Sequence, residues 1–257
     1  MTISARQSSL VAHESSFALR SVLPLLDRNA LFVRRWQMVR GQGSGNRGRL
    51  AGSQKSEIRS QKSELDSRVL AERELRQLWH ATRGLWQLQS VSGVFPARLT
   101  TAGLSIIAPG QRAVLRVSDS FRQRLVRLSG GYEFEVGIQV VTVGNRIVQY
   151  CDRLSQAGNF LEQFLVHGLA AELTEALAKR SQRRVMKQAG WEAARRYSPG
   201  YPVMPKLADQ RAVFRLLKPE RIGVKLTRSF QMVPEYSTSA VIIPMTNDRC
   251  RMTNSRT

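Results

Sequence analysis

RRYSPGYPVMPKLADQRAVFRLLKPERIGVKLTRSFQMVPEYSTSAV, residues 195–241, concentrates more binding chemistry than any other part of the 257-residue chain. Its core is Arg196-Tyr197-Ser198-Pro199-Gly200-Tyr201-Pro202. Pro199 and Pro202 fix φ and remove two backbone donors, and Gly200 tolerates a positive φ or a close approach, so the segment is expected to be a rigid turn rather than helix or strand. The Arg196 guanidinium can grip a carboxylate through two parallel hydrogen bonds, and Tyr197 or Tyr201 can stack on a flat group or face a cation. On chemistry alone the plainer reading is favoured: a Pro/Gly surface turn with its aromatic rings packed on the core.

Working outward, Asp209 is placed to cap a helix running to Leu217, residues 223–226 read as a strand, and residues 238–243 as the last strand. Upstream, residues 138–143 are an apolar run of the buried-strand type. Residues 147–154 and 160–179 carry helical periodicity and are separated by Gly158-Asn159. On the longer helix Phe164, Leu165, Leu169, Leu173, Ala176 and Leu177 form the expected core stripe. Glu172 and Glu175 lie beside it, and an i,i+4 pair from Glu175 to Lys179 is the simplest use of Glu175. Strands and helices without regular βαβ alternation predict an α+β fold, a mixed or antiparallel sheet with long helices.

The ordered set Arg196, Gly200, Tyr201, Pro202, then Phe214-Arg215-Leu216-Leu217, Ile222-Gly223-Val224-Lys225-Leu226-Thr227, Met232-Val233-Pro234 and Ser237-Thr238-Ser239 resembles the activation domain of cobalamin-dependent methionine synthase. The resemblance extends over about residues 132–243 and includes the helical segment around Glu172 and Glu175. It implies that the chain is a component of a methyltransferase and binds S-adenosylmethionine. By the same resemblance, Arg196 holds the methionine carboxylate, Ser198 and Pro199 bring the turn backbone to the ligand, Gly200 and Tyr201 shape the pocket, and Glu175 balances the ligand's positive charge. It further implies that cobalamin sits on a partner protein, since the chain lacks an Asp-x-His-x-x-Gly segment. The implied partners are a cobalamin-binding methionine synthase subunit or domain and a flavodoxin-like electron donor. Departures from the family pattern are Gly190 where a glutamate is usual, the lack of an Asp-Trp pair, and a tail beyond Pro244 without aromatic residues.

Forty Lys+Arg against nineteen Asp+Glu give a net charge of +21. Such a field attracts polyanions, so a second reading is a basic protein that binds nucleic acid or acidic protein surfaces on a degenerate activation-domain scaffold. The basic residues are spread along the chain instead of forming one block, which argues against nucleic acid. Cys151 and Cys250 are too few and too distant for a disulfide framework or a zinc site, which points to a reducing cytoplasmic setting. No run of 18 apolar residues exists, so no membrane span is expected.

Residues 1–131 are expected to be a basic extension, partly disordered, and residues 244–257 a polar tail. The N-terminal Arg- and Ser-containing stretch, with Leu23 to Leu26 inside it, offers an organellar transit peptide as an alternative reading. Gly43-x-Gly45-x-x-Gly48 fits a dinucleotide-binding pattern but lacks the strand and helix such a site needs, so a flexible linker explains it better. Residues 53–66 repeat a heptad with only Ile58 and Leu65 apolar, too few for a coiled coil. A helical pattern covers 69–88, and β-like runs fall at 104–108 and 113–117 around Pro109-Gly110. His80 and His167 receive no role.

Overall fold

In the computed structural model the described residues are 13–25, 77–129 and 132–245. The glycine motif at 43–48, the heptad repeat and the tail beyond residue 245 lie outside them. The strands are β1 His13–Ser16, β2 Gln89–Thr100, β3 Gly103–Ala108, β4 Gln111–Leu115, β5 Glu133–Thr142, β6 Ala194–Tyr197, β7 Lys225–Leu226, β8 Met232–Val233 and β9 Ser237–Pro244. The main helices are α1 Asp119–Ser129, α2 Asn145–Gln156, α3 Phe160–Ala189 and α4 Gln210–Leu217. A seven-stranded sheet runs β4-β3-β2-β5-β9-β6, with β1 also paired to β2, and every pairing is antiparallel. β7 and β8 form a separate ribbon. This is the expected α+β class.

The expected division at residue 131 does not coincide with a break in the sheet, because β2, from the first half, pairs with β5 along ten residues, Gln89↔Thr142 to Arg98↔Glu133. β2 went unread in the sequence because Gly93 and Pro96 look like strand breakers. Residues 93–96 fall between the β1 register at 89–92 and the β3 register at 97–100, so there β2 has β5 as its neighbour.

β5 decides the layering. Residues 136–142 are all buried, and side chains alternate across a strand, so both faces of the sheet must be covered. Val136, Ile138 and Val140 join the core under α1 and α4 with Phe95, Phe121, Leu125, Val213, Leu217, Val241 and Ile243. The opposite face carries Gly137, Gln139 and Val141, opposed by α3. The seam there is built from small or polar groups, Ser90, Ser92, Gln139, Ala178 and Ser181, all buried. Gln139 Nε2 donates to the Ala178 carbonyl at 3.2 Å, which ties strand to helix.

Gly137 sets how closely α3 approaches. A Cβ at this position would lie 2.6 Å from Val185 Cγ1 and 3.1 Å from Ile242 Cβ. The helix extends ten residues past the expected end at 179, because Val185 still docks on the sheet, and it stops at Gly190 in the left-handed conformation, φ 72°. Phe164, expected in the core stripe, is 43% exposed, and the buried face instead includes Val166 and Ala170. Asp209 precedes α4 but makes no side-chain cap. Its carboxylate accepts from the Arg116 N–H at 2.6 Å, bracing α4 against the end of β4.

α2 and α3 are joined by Tyr150 Oη donating to Glu162 Oε1 at 2.7 Å. His167 has a role the sequence did not reveal, since its Nδ1 lies 2.8 Å from Tyr236 Oη, which also points at Cys151 Sγ, 3.5 Å away. Burial pushes the Cys151 thiol and the Tyr236 phenol up from their ordinary values.

Gly137→Ala is expected to destabilise the fold by about 1–3 kcal/mol through overpacking, read as a lower urea midpoint at unchanged slope. The Tyr150 phenol is pushed up to about 12, first by its bond to the Glu162 carboxylate and then by burial. Its folded value lies above its unfolded one, so the contribution is intact below pH 10 and is lost as pH rises towards about 12. Thermal midpoints of the wild type are therefore expected to fall more steeply than those of Tyr150→Phe across that window, and parallel curves would count against the bond.

Candidate functional site

β6 is the edge strand beyond β9, registered Arg196↔Ile242 and Tyr197↔Val241. Ile242 faces α3 and Val241 faces α1, so alternation sends Arg196 and Tyr197 to opposite sides of the sheet. Arg196 Nη2 meets Glu175 Oε2 of α3 at 3.0 Å. Glu175 thus pairs across 21 positions of sequence rather than with Lys179. Tyr197 packs on Phe121 with ring centroids 4.5 Å apart, and its buried hydroxyl has no partner among the described residues.

The rigid turn expected at 196–202 begins later, since Arg196 and Tyr197 belong to a strand and the chain turns only after Ser198. Gly200 has φ 94°, its N–H donates to the Met204 carbonyl at 2.7 Å, and Met204 N–H returns to the Tyr201 carbonyl at 2.9 Å. Ser198 Oγ donates to the Ser239 carbonyl at 2.7 Å, and Ser239 Oγ reaches Gln210 Oε1 at 2.8 Å. The turn is therefore fastened to β9 and, through it, to α4. Pro199 is buried under the turn, whereas the Tyr201 ring is 67% exposed.

These elements enclose a cleft of about 630 Å³ along the β6 edge. Glu175, Arg196, Ser198 and Tyr201 line it, and so do three residues that sequence reasoning missed, Arg124 of α1, Gln182 of α3 and Thr238 of β9. Gln182 Nε2 also donates to the Ala194 carbonyl at 2.9 Å, fixing the start of β6 against α3. Gln182 follows Glu175 by seven residues, two turns of one helical face, and that spacing was the available signal. Pro199 and Gly200 shape the turn but do not line the cleft. The cleft thus joins the Arg196–Glu175 pair, each member with spare hydrogen-bonding capacity, to an exposed phenol, with Arg124 and Arg195 adding positive charge to its lining. Such a set can receive a zwitterion with a flat neighbour. Among the described residues no group of His, Cys, Asp and Glu could hold a metal ion.

Residues 19–251 match the family described as vitamin B12 dependent methionine synthase, activation domain. The chain belongs to this family. The match begins far upstream of residue 132 and takes in most of the first half of the chain. Among curated proteins, the methionine synthases of Mycobacterium tuberculosis and Mycobacterium leprae share 29% and 28% identity with it over 150 residues, 50% of this chain. The chain spans only 13% and 12% of their lengths. Among solved structures, the crystal structure of the MetH reactivation domain bound to AdoHcy superposes with a TM-score of 0.67 at 19% identity, covering 91% of this chain and 78% of that one. This likeness establishes the activation-domain fold. Among the described residues no helix is long and apolar enough to cross a membrane.

Gly200→Ala would force a Cβ onto a positive φ and to 3.0 Å from Leu207 Cδ1. It is expected to lower stability by about 1 kcal/mol or more and to disorder the turn, visible as faster amide exchange of Met204 with little change at Gln139.

Proposed function

We infer that the β6 cleft binds S-adenosylmethionine, and that the chain acts as the activation module of a cobalamin-dependent methionine synthase. The observation that carries this reading is the Arg196–Glu175 pair at 3.0 Å inside an open cleft of a chain that belongs to the activation-domain family. An amino-acid end group brings a carboxylate for Arg196 and an ammonium for Glu175, so it replaces one ion pair by two and leaves no charge stranded. Ser198 keeps the turn seated on β9, so that its backbone and the Tyr201 ring meet the rest of the ligand. Pro199 and Gly200 hold the shape of that turn.

When bound, S-adenosylmethionine supplies an electrophilic methyl group. The residues of this chain bind and orient it, and the chemistry belongs to the cofactors. In this reading the methyl acceptor is cob(II)alamin, held on another domain or subunit of methionine synthase. Reductive methylation to methylcobalamin would take one electron from a flavodoxin-like donor and the methyl group from the sulfonium, breaking its S–CH3 bond and releasing S-adenosylhomocysteine. The setting is cytoplasmic.

A second reading, a basic protein that uses this scaffold to bind nucleic acid or acidic proteins, rests on the net charge of +21. It differs in one measurable way, since affinity through phosphate contacts falls steeply with salt. Calorimetric titration with S-adenosylmethionine at low and high salt is the deciding experiment. Saturable binding with modest salt dependence is expected, weakened about 10- to 150-fold by Arg196→Ala through loss of a charged hydrogen bond of about 1.5–3 kcal/mol. Glu175→Gln is expected to weaken it less. Absence of heat from folded protein would overturn the proposal.

A further inference from the structure

At the far end of the sheet from the β6 cleft, a groove of about 1020 Å³ runs between β4 and α4. Five strand spacings separate the two edges, about 24 Å at 4.8 Å each. Arg211, Arg215 and Lys218 follow one another at i, i+4 and i+7, so they share one side of α4 and its end over about 10 Å, and all three line the groove. Arg116, just past β4, and Lys225 of β7 face them from the other walls.

Counter-charge in the groove is scarce. Of its two carboxylates, Asp209 is 8% exposed and is already engaged by Arg116, whose backbone N–H it accepts and whose Nε lies 3.9 Å away, which leaves Glu220 for the other four cations. Five cations against two carboxylates give a surplus of three positive charges. Arg215, Lys218 and Lys225 make no side-chain hydrogen bond or ion pair among the described residues. Like charges stacked along one side of a helix weaken it, so the stripe is a liability that a bound anion relieves. Arg211 lies over the Phe230 ring, 4.8 Å from its centroid, which holds the guanidinium plane while leaving its hydrogen-bonding edges available.

The floor is of another character. Val114, 38% exposed, Phe214 and Leu226 give it an apolar surface. The volume lies at the top of the range for small-molecule pockets, roughly 300–1,000 Å³, whereas a protein or duplex partner needs a broader face. An apolar floor under a cationic rim suits a molecule with a flat body and clustered negative charge. The geometry points to a second binding site here, for a small phosphorylated molecule of the nucleotide class, whose phosphates meet the α4 stripe and whose body lies on Val114 and Leu226. The site shares no residue with the β6 cleft and stands or falls independently of it.

The test is calorimetric titration of the full chain with ATP, tripolyphosphate, adenosine and a short poly-glutamate peptide at 150 mM salt, the concentration at which the Debye length is about 8 Å. One saturable ATP site is expected, with tripolyphosphate at least about 10-fold weaker and adenosine silent. The double variant Arg215→Ser with Lys218→Ser is expected to weaken ATP at least about 10-fold, and Arg196→Ala and saturating S-adenosylmethionine to leave it unchanged. If the double variant fails to fold by circular dichroism, Lys225→Ser, outside α4, is expected to weaken ATP by a smaller factor. No saturable ATP binding, binding unchanged in the groove variants, or loss of ATP in Arg196→Ala would overturn the proposal. So would tripolyphosphate matching ATP, which would indicate charge attraction alone, or preference for the peptide, which would make the groove a protein-docking face.

Discussion

Because β5 is buried on both sides, α3 has to lie flat against the sheet, and the position of nearly everything else follows from how tightly it does so. The middle of the seam between them uses small side chains and one side-chain hydrogen bond, Gln139 Nε2 to the Ala178 carbonyl, with the larger Leu177 and Val185 packed to either side. Small groups let backbones approach closely, and close packing is unforgiving of added volume. A 30-residue helix held this way is a rigid rod of about 45 Å. Its first half, with Val166, Leu169 and Leu173, shares a core with α2, and its second half, with Val185, rests on β5 and β9. Glu175 and Gln182 take their places at the β6 edge from that rod.

The same edge shows how strand alternation divides labour between adjacent residues. Arg196 turns to α3 and completes an ion pair, whereas Tyr197 turns to α1 and anchors the strand through Phe121. The pair is only partly shielded, with the Arg196 side chain 21% and the Glu175 side chain 54% exposed, so its worth to stability is small. Its consequence lies in selectivity. If the cleft has the proposed function, a ligand offering only a carboxylate would take Arg196 and leave Glu175 without its partner, which would disfavour simple acids relative to zwitterions.

Local pattern made part of this legible. Residues 138–143, the start of α3 and the segment of α4 have strong apolar periodicity, and each forms close to where it is expected. The segment 104–117 likewise folds as two strands around Gly110. What failed was reading across distance. Gly93 and Pro96 disguise the strand that occupies the middle of the sheet, because a breaker is tolerated where the neighbouring registers leave a gap. α1 is masked by its arginines, with Phe121 and Leu125 as buried apolar anchors among the described residues. Asp209 sits where a helix cap belongs, but tertiary structure gave its carboxylate to the Arg116 amide instead. The candidate site was visible as a motif at 196–202. Its partner Glu175 was found through family resemblance, and its pairing with Arg196 could not be read from local spacing.

β6 is an outer strand, and outer strands invite unwanted pairing with other chains. Here the hazard is contained by four residues of strand, two of them arginine, followed after Ser198 by a turn holding Pro199 and Pro202, which offer no amide hydrogen to a newcomer. The residues proposed to hold the ligand are thus also those that terminate the sheet. Drift in this motif would be felt twice, once as lost recognition and once as a chain more prone to self-association, so the sequence can persist under selection for solubility even in a lineage where the ligand no longer matters.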